Sequence, residues 1–273
     1  MAYETTRAPT AVILAAGTRP PSLDLGGDVP VCLQDVGGSL VLERIIRNCL
    51  SCGISQFVIV LGSAGAAIRA FVDKTFRGIR VTYITADRYK DLSAAQALLR
   101  AAPAIGMSEF ISLDADMVFE VKILRNLIDS DQPNALCVDR GAANGARARR
   151  VVVDEAMQII DFGTAVKPAI TVGVPIGIDK VSAKAGPAFF KSLAQIVEGP
   201  ARPKSAPDAA HAALLESAGT LHALDVTGLD WTGVQTPEDA ARASELFGTP
   251  VTTVSRGQQR ALDESTAKAR ANV

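Results

Sequence analysis

Two carboxylates stand out first. Asp114-Ala115-Asp116 closes the strand pattern Phe110–Leu113, and in extended chain this spacing turns both aspartates the same way. Burying such a pair at the end of a strand is costly unless it faces a cleft. A divalent cation is the natural partner, because Mg²⁺ takes one or two carboxylates and leaves its other positions to water and substrate phosphates. A plainer reading makes one of the two the cap of a helix starting near Glu120. The second feature is a glycine loop. Val12, Ile13 and Leu14 run without alternation into Ala15-Ala16-Gly17-Thr18-Arg19, so small residues sit where a buried strand would release its chain and backbone N–H groups can turn toward a phosphate. A tight turn without ligand fits that stretch as well. The third is Asp91-Leu92-Ser93, which can cap a helix and present its positive end to an anion. Arg19, Lys90 and Lys167 are the candidate cations, each also readable as a solvated surface charge.

Holding these groups together requires a particular framework. Before residue 135, strand and helix patterns alternate: a first strand near Ala11–Leu14, a helix from a Ser39 cap to Cys52, a strand at Gln56–Leu61, a helix from Ala64 to Lys74, a strand at Ile79–Ile84 and a helix from Ser93 to Ala101. That alternation predicts an α/β fold with a parallel sheet, whose ligands sit outside the carboxyl ends of the strands. From Ala135 the pattern changes. Short strands at Leu136–Asp139, Arg149–Asp154 and Met157–Phe162 predict an antiparallel meander, followed by a strand within Ala169–Asp179, helices in PAFFKSLAQIV and Asp208–Ser217, and strands at Thr220–Val226 and Trp231–Val234. Thr236-Pro237-Glu238-Asp239 opens a last helix with a Thr cap, Pro in the first turn and acids at the dipole's positive end.

Composition narrows the function class. The 273 residues carry 28 Lys+Arg against 29 Asp+Glu, with no basic block for a nucleic-acid groove or a membrane surface. The opening MAYETTRAPT is polar and the apolar run after it is too short for a signal core or a membrane span, so the expectation is a cytoplasmic protein with a small ligand. Cys49 and Cys52 form a C-x-x-C, but Leu42, Ile45, Ile46 and Cys49 recur at helical spacing and the two histidines, His211 and His222, lie far along the chain. Buried thiols are expected rather than a zinc or redox site.

Taken in order, AVILAAG, VPVCLQDVGGSLVLERIIRNCLSCGISQFVIVLG, SLDADMVF and DWTGVQTPEDAARASELF resemble a sugar-nucleotidyltransferase domain across about residues 10–248. The flavour is that of the cytidylyltransferases that activate phosphocholine or inositol phosphate, with molybdenum-cofactor guanylyltransferases as more distant relatives. The resemblance implies a Rossmann-like α/β/α sandwich of the nucleotide-diphospho-sugar transferase (GT-A-like) type, its sheet mostly parallel with a partly antiparallel second half. Within a domain over 1–248 it implies a nucleotide-binding half (10–134), an acceptor-binding half (135–236), a closing helix (237–247) and then a tail (249–273). It carries Ala15, Ala16 and Gly17 over to the nucleotide and Asp116 to Mg²⁺, with Asp114 as an additional nearby carboxylate; Thr18 and Ser93 are expected beside the nucleotide, and Arg19 and Lys167 as substitute catalytic cations. Lys167, in FGTAVKP, resembles the lysine that related enzymes place near the acceptor phosphate.

Three positions depart from the family pattern. Arg19 is displaced from the family's Gly-small-Arg continuation, Val31 stands where relatives carry a lysine, and Gly233 stands where they carry a second metal-binding aspartate. Losing one charged stabiliser of phosphoryl transfer typically costs about 100- to 1000-fold in rate. The expected activity is therefore a divergent transfer of a nucleoside monophosphate, from CTP or another NTP, to a small phosphorylated alcohol or sugar with release of pyrophosphate. A catalytically impaired nucleotide-binding or regulatory protein of the same fold is the alternative. A glycosyltransferase using Asp114-Ala115-Asp116 as a D-x-D metal site is a weaker one. A homo-oligomer or a complex with an active relative is compatible with each.

Overall fold

The computed structural model describes residues 8–17, 29–85, 93–141, 149–163, 166–167, 170–199, 209–217 and 219–248. Strand β1 (Thr10–Ala15) leads through a one-turn 3-10 helix at Val31–Leu33 to the hairpin β2 (Asp35–Val36) and β3 (Ser39–Leu40). Helix α1 (Val41–Ser51), β4 (Gln56–Leu61), α2 (Gly65–Thr75), β5 (Arg80–Thr85) and α3 (Ala94–Ile105) continue the alternation. The middle of the chain comprises β6 (Phe110–Asp114), β7 (Met117–Phe119), α4 (Val121–Asp129), β8 (Ala135–Asp139), β9 (Arg150–Val153), β10 (Ile159–Gly163) and β11 (Val174–Val181). Helices α5 (Gly186–Glu198) and α6 (Ala209–Ser217), strands β12 (His222–Asp225) and β13 (Trp231–Gly233), and helix α7 (Pro237–Phe247) complete it.

A seven-stranded sheet in the order β12-β8-β11-β6-β1-β4-β5 forms the centre, and only β11 runs against its neighbours. The unalternating apolar run of β1 is explained by burial on both faces: Ala11 and Ile13 join the layer of α1, α2 and α4, while Val12 joins that of α3, α5 and α6. On α1 the Leu42, Ile45, Ile46 and Cys49 stripe is fully buried. All four cysteines are free thiols, and burial pushes the Cys49 thiol well up.

Local signals account for two of the helix starts. Ser93 caps α3 in a capping box with Gln96, and Thr236 caps α7 in one with Asp239, each box satisfying two N–H groups. Ser39, expected to cap α1, does not do so. It pairs with Val36 in the hairpin around Gly37-Gly38, which leaves Leu40 at the N-cap without a side-chain bond. The expected meander is also corrected. Strands β9 and β10 do pair antiparallel, but β8 leaves them for the central sheet, where β11 and β12 flank it. Helix α7 is fastened to the first half by the buried guanidinium of Arg44, which donates to the carbonyls of Val36 (2.7 Å) and Phe247 (2.8 Å). Among the described residues, no helix is long and apolar enough to cross a membrane.

Candidate functional site

Parallel strands β1 and β6 lie side by side, with Leu14 opposite Asp114, so both strands deliver their following loops to one edge of the sheet. Above that edge lies a cavity of about 340 Å³. Ala15, Ala16 and Gly17 line it from the end of β1, Ser93, Ala94 and Ala97 from the start of α3, and Asp114, Ala115 and Asp116 from the end of β6. The close seat of the first loop requires a glycine on the neighbouring strand's exit. A Cβ at Gly62 would stand 2.7 Å from the Ala16 carbonyl oxygen. Ser93 brings the positive end of a 12-residue helix to the same wall.

The carboxylates are held differently. Asp116 accepts a 2.9 Å hydrogen bond from Gln235 Nε2, and its backbone carbonyl accepts from the Val234 N–H at 2.7 Å, because β13 pairs antiparallel with β7. Helix capping is not its role, since Glu120 occupies the N-cap of α4. Asp114 lies deeper. Burial pushes its carboxyl up to about 7, the Asp116 charge adds to this, and the Arg149 charge opposes it. Its packing against β11 is tight: Gly177 adopts φ +83°, and a Cβ there would run into the Asp114 carboxylate. Asp179, two residues along β11, meets His211 of α6 at 2.9 Å between Oδ2 and Nε2. The Phe162 ring packs edge-on against His211, at 5.1 Å between centroids. Asp179 Oδ1 and His211 Nδ1 are buried without a hydrogen-bond partner among the described residues.

Of the nine residues singled out in the sequence, six (Ala15, Ala16, Gly17, Ser93, Asp114 and Asp116) line this one cavity. Thr18 and Arg19, like Lys90, lie outside the described residues. Lys167 is exposed and is not among the residues lining the cavity; its carbonyl accepts from Ile170 N–H and Thr171 Oγ1. Val31 lines it instead, next to Cys32, whose thiol is pushed up to about 12 by burial and is no nucleophile near neutrality. Gly233 is half-buried and a Cβ there would meet nothing closer than 3.9 Å, so space exists beside Asp116 for a side chain that this sequence lacks.

Two lining residues with long polar side chains escaped the sequence reading, Arg149 and Gln235. Arg149 lies in the basic run Arg147-Ala148-Arg149-Arg150, a signal that was present but unplaced. Gln235 precedes the Thr236 cap and carries no signal of its own.

Among the described residues no group of three or more His, Cys, Asp and Glu side chains could hold a metal. Asp114 and Asp116 together offer two carboxylates and nothing more, a donor set compatible with a hard cation that draws its remaining oxygens from water and a ligand.

Comparison with known proteins agrees with this fold. The family model for the MobA-like NTP transferase domain matches residues 11–223. The fold is shared with the inositol-1-phosphate CTP transferase from T. maritima, at TM-score 0.68 and 17% identity over 89% of this chain and 98% of that one. It is shared equally with CTP:phosphocholine cytidylyltransferase from Streptococcus pneumoniae, at TM-score 0.69 and 16% identity over 88% and 100% of the two chains. A curated relative, the CMP-5'-(3-aminopropyl)phosphonate synthase of Streptomyces rubellomurinus, is 23% identical over 130 residues, 48% of this chain. That match spans only 20% of the relative's length.

Proposed function

The chain belongs to the MobA-like NTP transferase domain family, and from that premise we propose that its cavity joins a nucleoside monophosphate to a small acceptor bearing a phosphate or phosphonate. An acceptor oxygen forms a bond to the α-phosphorus of an NTP, the bond from that phosphorus to the bridging oxygen breaks, and pyrophosphate leaves with the electron pair. The observation that carries the reading is the convergence of Ala15–Gly17, the Ser93-capped start of α3 and the Asp114/Asp116 pair on one cavity.

Each group has a task in that reaction. The small residues Ala15, Ala16 and Gly17 admit the nucleotide close to the backbone, and the α3 N-terminus favours its negative charge. Asp114 and Asp116 would hold Mg²⁺, which when bound supplies positive charge to phosphate oxygens. The fit is that of an open site, because Gly233 adds no carboxylate and Gln235 donates to one oxygen of Asp116. Positioning dominates phosphoryl-type transfer, so a site of this kind works through the geometry it imposes on two anionic substrates.

CTP is the first nucleotide to test, since two proteins sharing the fold use CTP by name. Acceptors to test are phosphocholine, inositol phosphate, hexose phosphates and an aminoalkyl phosphonate. Pyrophosphate release that needs NTP, acceptor and Mg²⁺ together supports the reading; release with none of these combinations refutes it. A second reading, nucleotide binding without transfer, is favoured by the apolar Val31 on the cavity wall. It predicts nucleotide-dependent stabilisation without pyrophosphate.

A further inference from the structure

Strand β6, which ends in the carboxylate pair, has a different neighbour in the sheet on each flank. On one flank lies β1, which brings Ala15–Gly17 beside the start of α3. On the other lies β11. Strand β9 is stitched to that second flank through the Val151–Gly173 bridge, with Val151 N–H donating to the Gly173 carbonyl at 3.0 Å and Val172 N–H to the Val151 carbonyl at 2.8 Å. Arg149, immediately before β9, thereby enters the cavity from the chain's second half. It is the one cationic side chain among the described residues lining the cavity, and its charge acts on Asp114.

We infer that Arg149 is the residue that binds the phosphate or phosphonate of the acceptor, on the β11 flank, opposite the nucleotide. This rests on the transfer reading above and adds to it the anchor of the second substrate. In-line displacement requires the attacking oxygen and the departing pyrophosphate on opposite sides of the α-phosphorus. A nucleotide seated against β1 and α3 leaves the β11 flank for the nucleophile. An acceptor dianion there would face Asp114 and Asp116, and a like-charge approach of that kind needs a fixed positive group. The guanidinium supplies one in planar, two-pronged form, matched to a tetrahedral anion's oxygens in a way an ammonium is not. Arg149 also stands in for charge that Val31 does not provide, but on the acceptor side.

The test uses the full chain and its Arg149→Ala and Arg149→Lys variants. Binding of inorganic phosphate and of methylphosphonate is followed by calorimetry with and without saturating Mg-CTP, and binding of Mg-CTP is measured separately. Steady-state pyrophosphate release then gives KM for acceptor and for nucleotide. Arg149→Ala is expected to weaken both anion probes and raise acceptor KM by about 10- to 100-fold while Mg-CTP affinity changes less than about threefold. Arg149→Lys, keeping charge but losing the fork, is expected to recover part of that loss. Thermal melts check that each variant folds. Wild-type protein that binds neither probe, or Arg149→Ala protein that binds both as wild type does, overturns the assignment. A loss of Mg-CTP affinity as large as the loss for the probes overturns it too, since Arg149 would then serve the nucleotide. Anion binding that depends on Arg149 in a protein that neither binds nor turns over any NTP would uphold the anchor and refute the transfer reading instead.

Discussion

Gln235 Nε2 lies 2.9 Å from Asp116 Oδ2, joining residues 119 positions apart across the β7–β13 pair. The bond ties the chain just ahead of α7 to a carboxylate at the end of β6. Replacing the amide donor by a carboxylate, Gln235→Glu, sets two like charges together. At this exposed position the penalty is about 1 kcal/mol, or roughly 2–4 °C in Tm for the ligand-free protein. Millimolar Mg²⁺ is expected to reverse the loss, as an added ligand would allow. Thermal melts of both proteins with and without Mg²⁺ measure this, and a Gln235→Glu protein indifferent to Mg²⁺ would count against a metal role for Asp116.

Asp114 gives the stability a pH dependence of known sign. Its carboxyl is pushed up to about 7 by burial, then by the Asp116 charge, whereas an unfolded aspartate titrates near about 3.9. Between those values the folded protein holds the extra proton, so stability from this group is present at low pH and is lost as pH rises through about 4 to 7. Urea midpoints are expected to show a downward contribution over that window which Asp114→Asn removes. Saturating Mg²⁺ is expected to flatten it as well, by favouring the carboxylate. An unchanged pH profile in Asp114→Asn would show that the group titrates normally.

Gly177 is expected to resist substitution. With φ +83° and the Asp114 carboxylate where a Cβ would go, Gly177→Ala must both strain the backbone and displace the aspartate. A loss of about 1–3 kcal/mol in urea-unfolding stability is predicted, with activity falling further than stability alone explains. Wild-type stability and turnover in Gly177→Ala would mean that β11 gives way at no cost.

Restoring charge is expected to help more than other changes. Val31 lines the cavity and a Cβ at Gly233 would meet nothing closer than 3.9 Å, so Val31→Lys with Gly233→Asp is the pair of changes to test. Tighter Mg-nucleotide binding and faster pyrophosphate release are predicted, by up to about 100-fold for each charge that reaches the phosphates. Because both would act on one triphosphate, the gains need not multiply. Robust wild-type turnover abolished by the double change would show that the chain uses a different cationic set.

Features set by neighbouring residues were readable in advance. The strand Gln56–Leu61, the capping serine and threonine at 93 and 236, and the six cavity residues all follow from local pattern, since an α/β sheet places ligands where its parallel strands end. What local pattern does not contain is which strand lies beside which. Strand β8 resembles a meander member because its sequence records its burial but not its partner, and the insertion of β11 between β6 and β8 is a long-range choice. Arg149 and Gln235 reach the cavity by the same kind of choice, through the Val151–Gly173 bridge and the β7–β13 pair. The His211–Asp179 pair behind Asp114 joins a helix to a strand 32 positions away and was equally invisible.

The central claim is nucleotidyl transfer at the Asp114/Asp116 cavity, and the most direct measurement is the fate of a radiolabel on the NTP. Wild-type protein, Mg²⁺ and an accepted phospho- or phosphono-acceptor are incubated with CTP labelled at either the α- or the γ-phosphate, beside Asp116→Ala protein. The prediction is that α-label appears in a nucleotide–acceptor conjugate, γ-label appears in pyrophosphate, and both products fall by at least about 100-fold in Asp116→Ala. Label from the γ-phosphate in the acceptor, or α-label transfer that persists undiminished without the Asp116 carboxylate, would contradict it.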